Sequence, residues 1–204
     1  MTITHHLDDA TLMSFAAGAL PEGLAAVAAA HVALCRRCRR EVAALDRVGA
    51  ALVADLSPAR LDRPEPAAPA SSGRGARGHE PTDPLARLLG GGLDGIRWRW
   101  IGPGVWHCPL PLAGEGTLNL IKAAPGRAVP EHGHAGSELT LVLGGTLRDV
   151  TGIYARGDVA DLDEEIAHQP FAGDEADCVC LVASEKPAQF RGLLARLMRP
   201  WHGM

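Results

Sequence analysis

The amino-terminal part of the chain carries apolar residues at helical spacing and shows no alternating strand pattern. Asp8 and Asp9 are candidates to cap a first helix, and the Leu20–Pro21 junction is expected to end it. A second, alanine-rich helix is predicted from Pro21 onward. A third helix is marked by apolar residues three or four positions apart: Val42, Leu45, Val48 or Gly49, Leu52 and Leu56. Together they predict a small all-α domain, residues 1–56.

The pattern changes after this domain. Residues 57–84 are rich in Pro, Gly, Ala, Ser and Arg and contain no run of large apolar residues, so burial cannot offset their ordering entropy. They are predicted to be a linker. Beyond it, short apolar segments such as TLNLIKA, LTLVLGG and CVCLVAS are separated by Gly, Pro and Asp, which is typical of an antiparallel sandwich or barrel. The predicted fold class is therefore α + β with two domains, the second an all-β barrel over residues 85–204.

Composition and charge narrow the function classes. The 204 residues carry a net charge of −4, so no overall basic field attracts the chain to nucleic acid. The start MTITHHLDDA has neither basic residues nor an apolar core, and the run LAAVAAAHVALC is too short to span a bilayer. A cytoplasmic protein without membrane association is therefore predicted. In a reducing cytosol, five cysteines favour metal ligands, redox groups or core residues over a disulfide framework.

The stretch HVALCRRC combines one histidine with two cysteines. His31 and Cys35 stand four residues apart on one helix face, and Cys38 lies one turn further on. Three ligands can thus converge on a tetrahedral zinc ion, with either His5 or His6 as the fourth. The alternative is that the cysteines are small buried residues. A domain this small, with an alanine-rich helix, has a thin core and usually needs a staple, so structural zinc is predicted.

Four arginines flank the second cysteine of this stretch: Arg36, Arg37, Arg39 and Arg40. One interpretation is a solvated helix face. The other is a contact with an acidic protein surface, or a balance to the negative charge of two zinc-bound thiolates. Zinc-finger recognition of nucleic acid is disfavoured, because neither the finger spacing nor an aromatic stacking set is present.

The segments HHLDDATLMSFAAGAL, HVALCRRC and EVAALDRVGAAL resemble the zinc-binding anti-sigma domain of the ChrR family. The resemblance implies that His5 is only a neighbour and that the zinc ligands are His6, His31, Cys35 and Cys38. It also implies that the helical domain binds an extracytoplasmic-function sigma factor and hides its core-polymerase-binding surfaces. The family's domain has a fourth helix, whereas the corresponding segment here, SPARLDRPEPAAPASS, is broken by prolines. Binding to the sigma factor is therefore expected to be weaker or to be arranged differently.

A second histidine cluster lies in the predicted barrel. The order G-x5-H-x-H-x3-E-x6-G resembles the first motif of the cupin superfamily, a double-stranded β-helix or jelly-roll fold, and His168 follows Gly157 at the interval of the second motif. Histidines two apart on a strand face the same side, and three imidazoles with one carboxylate suit zinc, iron, manganese or nickel. The predicted second metal site comprises His132, His134, Glu138 and His168. Zinc is the first choice for its metal; the alternative is a cupin fold without metal, in which Glu138 pairs with a histidine.

Cys178 and Cys180 in DCVCLVAS are expected on one face of a late strand beside apolar residues. Core packing is the first interpretation, and a redox role is the second. Residues i and i+2 on a regular strand are about 6 to 7 Å apart, near or beyond disulfide reach. A disulfide between the two cysteines would therefore require a distorted strand.

The barrel half, from GIRWRWIGPGV through VPEHGHAGSELTLVL to DCVCLVAS, is similar to the carboxy-terminal cupin-like domain of the same ChrR family. This resemblance implies the second metal site named above. It also implies that the barrel is needed for the response to singlet oxygen or organic peroxides, whereas the helical domain alone suffices to inhibit sigma.

The expected function is that of a zinc-dependent anti-sigma factor and not of an enzyme. The helical domain would sequester an extracytoplasmic-function sigma factor, and the barrel would convert an oxidative signal into its release. The release step is open between oxidation of Cys35 and Cys38, metal loss, and barrel rearrangement with proteolysis. The alternative is a metal-dependent cupin enzyme of dioxygenase or isomerase type with a zinc-stabilised helical interaction module. Direct nucleic-acid binding is not expected, and homo-oligomer formation is left open.

Overall fold

The computed structural model of the chain describes residues 2–57, 89, 93–129, 132–133, 136–163, 169–186 and 189–190. Within these ranges the helices come first and the strands follow, as the sequence predicted. Of the predicted linker, only residue 57 is described. His134 and His168 lie outside the described residues.

The helices are α1 Asp9–Ala16, α2 Glu22–Leu34 and α3 Arg36–Ala54. Asp8 caps α1, because its carboxylate accepts the backbone N–H of Thr11 at 2.6 Å. The first helix ends at Ala16, earlier than the predicted Leu20. The physical reason is Gly18, which adopts a left-handed φ of +67° and so terminates the helix.

Cys35 forms the junction between α2 and α3. Its backbone is extended, with φ −96° and ψ 111°, so the chain turns there and does not continue as one helix. Its N–H still donates to the carbonyl of His31 at 2.7 Å, while its sulfur accepts the N–H of Cys38 at 3.5 Å. The junction therefore brings the last turn of α2 and the first turn of α3 to one point.

The described strands are β1 Arg99–Gly102, β2 Val105–Pro109, β3 Thr117–Ala123, β4 His132–Gly133, β5 Glu138–Gly144, β6 Thr146–Asp149, β7 Gly152–Ala155, β8 Val159–Leu162, β9 Phe171–Ala172, β10 Cys178–Ser184 and β11 Gln189–Phe190. A six-stranded sheet has the order β1-β2-β3-β10-β5-β8, a three-stranded sheet has the order β7-β6-β9, and β11 pairs with β4. The paired strands are antiparallel. The three apolar segments noted in the sequence form β3, β5 and β10, next to one another in the larger sheet.

The larger sheet is covered on both faces. On β10, Leu181 and Ala183 belong to an apolar cluster shared with the helices, whereas Cys178 and Cys180 belong to a second cluster shared with the smaller sheet. Alternate residues of one strand therefore face opposite layers. Because both faces are buried there, β5 and β10 are almost continuously apolar and do not alternate with polar residues. The order of the layers is helices, larger sheet, smaller sheet.

Helix α2 packs directly on the larger sheet. Its residues Leu24, Val27 and Ala28 are buried in the shared cluster. Gly23 allows a close approach, since an added Cβ would lie 3.0 Å from the carbonyl oxygen of Thr117. The helical part and the barrel thus share one apolar cluster, although the sequence pattern suggested two separate domains.

Gly145 joins β5 to β6 in a left-handed conformation, with φ +67°. Gly145→Ala is expected to lower the free energy of unfolding by more than about 1 kcal/mol, because the new Cβ would be strained at this φ. It would also collide with the carbonyl oxygen of Asp177. The measurement is urea unfolding followed by tryptophan fluorescence. Gly144→Ala is the matched control, since nothing lies within 4 Å of its added Cβ; equal losses in the two variants would contradict this prediction.

Candidate metal centre

Four predicted ligands from three parts of the helical domain meet at one point: His6, His31, Cys35 and Cys38. One ligand atom from each lies within 4.8 Å of all the others. His31 Nε2 is 3.3 Å from Cys38 Sγ, and His6 Nδ1 is 3.3 Å from Cys35 Sγ and 3.7 Å from Cys38 Sγ. These four residues are termed the four-ligand cluster. In the part of the chain that the structure describes, no other group of His, Cys, Asp and Glu side chains could hold a metal ion in this way.

The dimensions and chemistry of the four-ligand cluster fit zinc. Zinc–sulfur bonds of about 2.3 Å and zinc–nitrogen bonds of about 2.0 to 2.1 Å at tetrahedral angles place neighbouring ligand atoms about 3.3 to 3.8 Å apart. The nitrogen-to-sulfur distances of 3.3 to 3.7 Å lie in this range. Two thiols and two imidazoles make a closed set typical of structural zinc, with no coordination position for a substrate.

The structure distinguishes the two histidines between which spacing could not choose. His6 contributes a ligand atom to the cluster. The ring of His5 instead faces the barrel, where its Nδ1 is 3.4 Å from the carboxylate of Asp158 and its centroid is 4.3 Å from the Tyr154 ring. The geometry therefore agrees with the ligand set that the family resemblance implied.

Burial tunes the protonation of the four-ligand cluster. It lowers the pKa of His31 to about 4, because a buried site disfavours the charged imidazolium. The ring is therefore neutral at physiological pH and has a lone pair to offer. Burial and the neighbouring Cys35 raise the pKa of Cys38 to about 11. A divalent cation would reverse this preference, since it binds thiolates and displaces their protons.

The four exposed arginines have different surroundings. The side chain of Arg39 donates to the carbonyls of Val32 and Ala33, and so satisfies acceptors left open at the end of α2. Burial and, secondly, the positive charge of Arg37 lower the pKa of His6. The capping role of Arg39 was not predicted, because arginine in a helix carries no spacing signal for it.

Cys178 and Cys180 lie side by side in the barrel interior, and both are buried. Their sulfurs are 3.6 Å apart, within hydrogen-bond distance for thiols. The pairing of β10 with β5 shifts register between Val179 and Cys180, and such irregularities re-aim side chains. The hydrogen bond between the thiols lowers the pKa of Cys178, and that bond together with burial raises the pKa of Cys180. The two thiols are thus in contact, next to a register shift in the strand pairing.

Only one side chain of the predicted second metal site is described. Glu138 begins β5, as expected, is 3% exposed and accepts a hydrogen bond from Thr140 Oγ1 at 3.3 Å. His132 begins β4, but its side chain is not among those described; His134 and His168 lie outside the described residues. The second metal site therefore stays a prediction.

The distal half of α3 exposes apolar side chains to solvent. Val42 and Leu45, nearer its start, pack on the helical cluster. Beyond them the exposed residues, termed the α3 face, are Val48, Leu52, Val53 and, just past the end of the helix, Leu56, at 59%, 66%, 67% and 69% exposure. Several large apolar side chains exposed close together in sequence are typical of a site for a partner protein.

Three helices around a Cys2His2 cluster, packed on an antiparallel barrel, define a helical module with a candidate metal site joined to a cupin-like domain. The family model of the ChrR cupin-like domain matches residues 91–188. The anti-sigma-E factor ChrR of Cereibacter sphaeroides is 41% identical over 217 residues, which cover 98% of this chain and 99% of that protein. The chain belongs to the ChrR family, as the sequence predicted.

A solved structure extends this relationship to the whole fold. The crystal structure of Rhodobacter sphaeroides SigE in complex with the anti-sigma ChrR matches with a TM-score of 0.78 and 41% identity, over 90% of this chain and 99% of that one. The predicted fold class, a helical domain followed by a cupin-like barrel, is thereby confirmed. Among the described residues, no helix has the length and apolar character needed to cross a membrane.

Proposed function

We propose that this protein is an anti-sigma factor whose helical domain binds an extracytoplasmic-function sigma factor and hides it from core polymerase in the cytoplasm. The relative from C. sphaeroides is named as an anti-sigma factor, and the similar solved structure is a complex with SigE. That relative is matched over 99% of its length and is named as an anti-sigma factor, which favours this function over a cupin enzyme.

The observation that carries this proposal is the α3 face. Val48 and Leu52 stand four residues apart in α3, so they lie on one side of the helix, and Leu56 follows just past its end. Amphipathic helices that bind in a groove of another protein contact it through apolar residues at this spacing. The exposed arginines at the start of the same helix suit an acidic surface on that partner.

Zinc is proposed as the structural cofactor of the helical domain. Bound to the four-ligand cluster, it would cross-link the amino-terminal segment, α2 and α3, which share little apolar core of their own. Because Cys35 and Cys38 stand at the start of α3, the metal would also fix the direction in which the α3 face points.

The barrel is proposed as the sensor of singlet oxygen or organic peroxides. A second divalent metal, zinc first and iron or manganese next, would be held by His132, His134, Glu138 and His168; the burial of Glu138 supports a ligand role. Cys178 and Cys180 are proposed as a redox pair. Their two thiols would give two electrons and two protons to an organic peroxide, leaving a disulfide, an alcohol and water.

Leu52→Asp is expected to weaken sigma binding at least about 30-fold, because central interface contacts are worth about 2 kcal/mol or more. The measurement is a titration of the zinc-loaded full chain with each extracytoplasmic-function sigma factor of its source organism, and with R. sphaeroides SigE. Val150→Asp is the matched control, since Val150 is 76% exposed on the barrel. If no sigma factor binds the wild-type chain, the anti-sigma proposal fails; if both variants bind equally well, the α3 face is not the interface.

A further inference from the structure

The turn between β7 and β8, residues 156–158, contacts the four-ligand cluster from the barrel side. The carbonyl oxygen of Gly157 is 2.9 Å from Nδ1 of His31, whose Nε2 faces Cys38. A carbonyl can only accept, so Nδ1 must carry the proton and the lone pair is left on Nε2. The β7–β8 turn thus selects the tautomer of one ligand and orients its ring toward the cluster.

The same turn holds the amino-terminal segment that carries His6. Asp158 is 1% exposed and accepts the backbone N–H groups of Thr4 at 2.7 Å and His5 at 3.0 Å. It also accepts the N–H of Ala155 at 2.9 Å, which ties the segment to the end of β7. Since His6 is the next residue, its position depends on bonds that a barrel carboxylate makes.

The contact between the β7–β8 turn and the amino-terminal segment is tight. Gly157 has a φ of +92°, and an added Cβ would lie 2.9 Å from Cδ1 of Ile3. The carbonyl of His5 also accepts the N–H of Val159 at 3.5 Å, so the segment follows the start of β8. Two of the four ligands are therefore supported by neighbouring barrel residues.

The turn is bonded in addition to the strands that carry the cysteine pair. Gly157 N–H donates to the carbonyl of Val142 at 2.8 Å, and Val142 N–H donates to the carbonyl of Asp158 at 3.0 Å. Val142 on β5 lies opposite Cys180 on β10. Adjacent, hydrogen-bonded backbone segments therefore lead from the barrel interior to the metal ligands.

We propose that the β7–β8 turn is the element through which the barrel sets the metal affinity of the helical domain, with Gly157 and Asp158 as positioning residues. This inference rests on the metal centre of the proposed function and adds a route from the sensor to that centre. Mutation of a residue that orients a metal ligand through a hydrogen bond typically changes the metal affinity about 10- to 100-fold. A barrel rearrangement that moves the turn would weaken metal binding. The attachment of α3 to the rest of the helical domain would weaken with it.

The test compares Asp158→Ala with the wild type in the zinc-loaded full chain. Competition with a chromogenic chelator gives the Zn²⁺ affinity, and Co²⁺ substitution gives absorption bands that report ligand geometry. Asp158→Ala is expected to weaken Zn²⁺ binding about 10- to 100-fold and to alter the Co²⁺ bands, because the segment carrying His6 loses its bonds to the turn. Asp158→Asn is expected to lie between, since its amide oxygen can still accept the N–H groups of Thr4 and His5.

Another bond between the helical part and the barrel supplies the matched control. Glu22 accepts the N–H groups of Ala113 and Gly114 at 2.8 and 3.1 Å, but these residues lie outside the four-ligand cluster. Glu22→Ala is expected to keep the wild-type Zn²⁺ affinity and Co²⁺ bands. Equal weakening in Glu22→Ala and Asp158→Ala would overturn the proposal, and so would an Asp158→Ala variant that matches the wild type. Failure of the centre itself would look different, because the wild-type chain would then bind no zinc.

Discussion

Cys38→Ser is expected to leave the chain without stoichiometric zinc and to free α3 and the amino-terminal segment from α2. A hydroxyl is a poor substitute for the soft thiolate ligand. Because Cys38 is only 1% exposed, no other ligand can easily take the place of its sulfur. Structural zinc contributes about 10 to 16 kcal/mol of apparent binding free energy, comparable to the total stability of a typical domain, about 5 to 15 kcal/mol. Zinc content per chain, the helical signal in circular dichroism and sigma binding should all fall.

Cys108→Ser is the matched control for this variant. Cys108 is a partly exposed thiol on β2, 3.8 Å from the carbonyl oxygen of Pro109, and it does not belong to the four-ligand cluster. Its replacement should leave zinc content, helicity and sigma binding at wild-type values. A Cys38→Ser chain with full zinc content would refute the ligand assignment, whereas zinc loss with undiminished sigma binding would refute the structural role of the metal.

The four-ligand cluster could be anticipated from the sequence because three of its residues lie in one short segment, HVALCRRC. Spacing alone could not choose between His5 and His6, since neighbouring residues fit equally well. In the structure Asp158, which lies far along the chain, accepts the backbone N–H groups of Thr4 and His5 and lies beside the His5 ring, while His6 joins the cluster. A single aspartate in a turn forms no pattern, and backbone partners carry no side-chain signature, so this contribution could not be found from the sequence.

The barrel shows where strand reasoning succeeds and where it stops. LTLVLGG and CVCLVAS were recognisable because strands buried on both faces form continuous apolar runs, whereas TLNLIKA was recognisable by its partly alternating pattern. The sequence placed Cys178 and Cys180 on one face of a strand, but it could not show that their sulfurs lie 3.6 Å apart or that the pairing of β10 with β5 shifts register beside them. Register shifts depend on how two strands pair, and no residue type in DCVCLVAS indicates that a shift occurs there.

The close packing of α2 on the larger sheet was also missed. The Pro- and Ala-rich linker suggested independent domains, and the alanines of α2 are equally compatible with a thin helical core and with a sheet contact. The role of Gly23 and Ala28 in packing can be recognised only from the sheet residues opposite them. Non-local packing of small residues is therefore the part of the fold for which the sequence offered the least guidance.

Leu181→Ala is expected to lower the free energy of unfolding by about 2 to 5 kcal/mol and to destabilise the barrel and the helical domain together. Leu181 is fully buried in the larger sheet, in the cluster that includes Leu24 and Val27 of α2. The four tryptophans all lie in the barrel half of the sequence, so their fluorescence follows barrel unfolding, while zinc release to a chelator follows the helical domain. Both urea midpoints should shift together, because one cavity weakens one shared core.

Val150→Ala supplies the baseline for this comparison, because Val150 is 76% exposed and surface substitutions usually stay within about 0.5 kcal/mol. A lower fluorescence midpoint with unchanged zinc release would contradict the shared core and fit the two separate domains suggested by the linker. Coincident shifts would mean that the barrel cannot change its packing without reaching the metal ligands. In that case a signal that disturbs the packing of the barrel interior would loosen the helical domain directly, through the shared core.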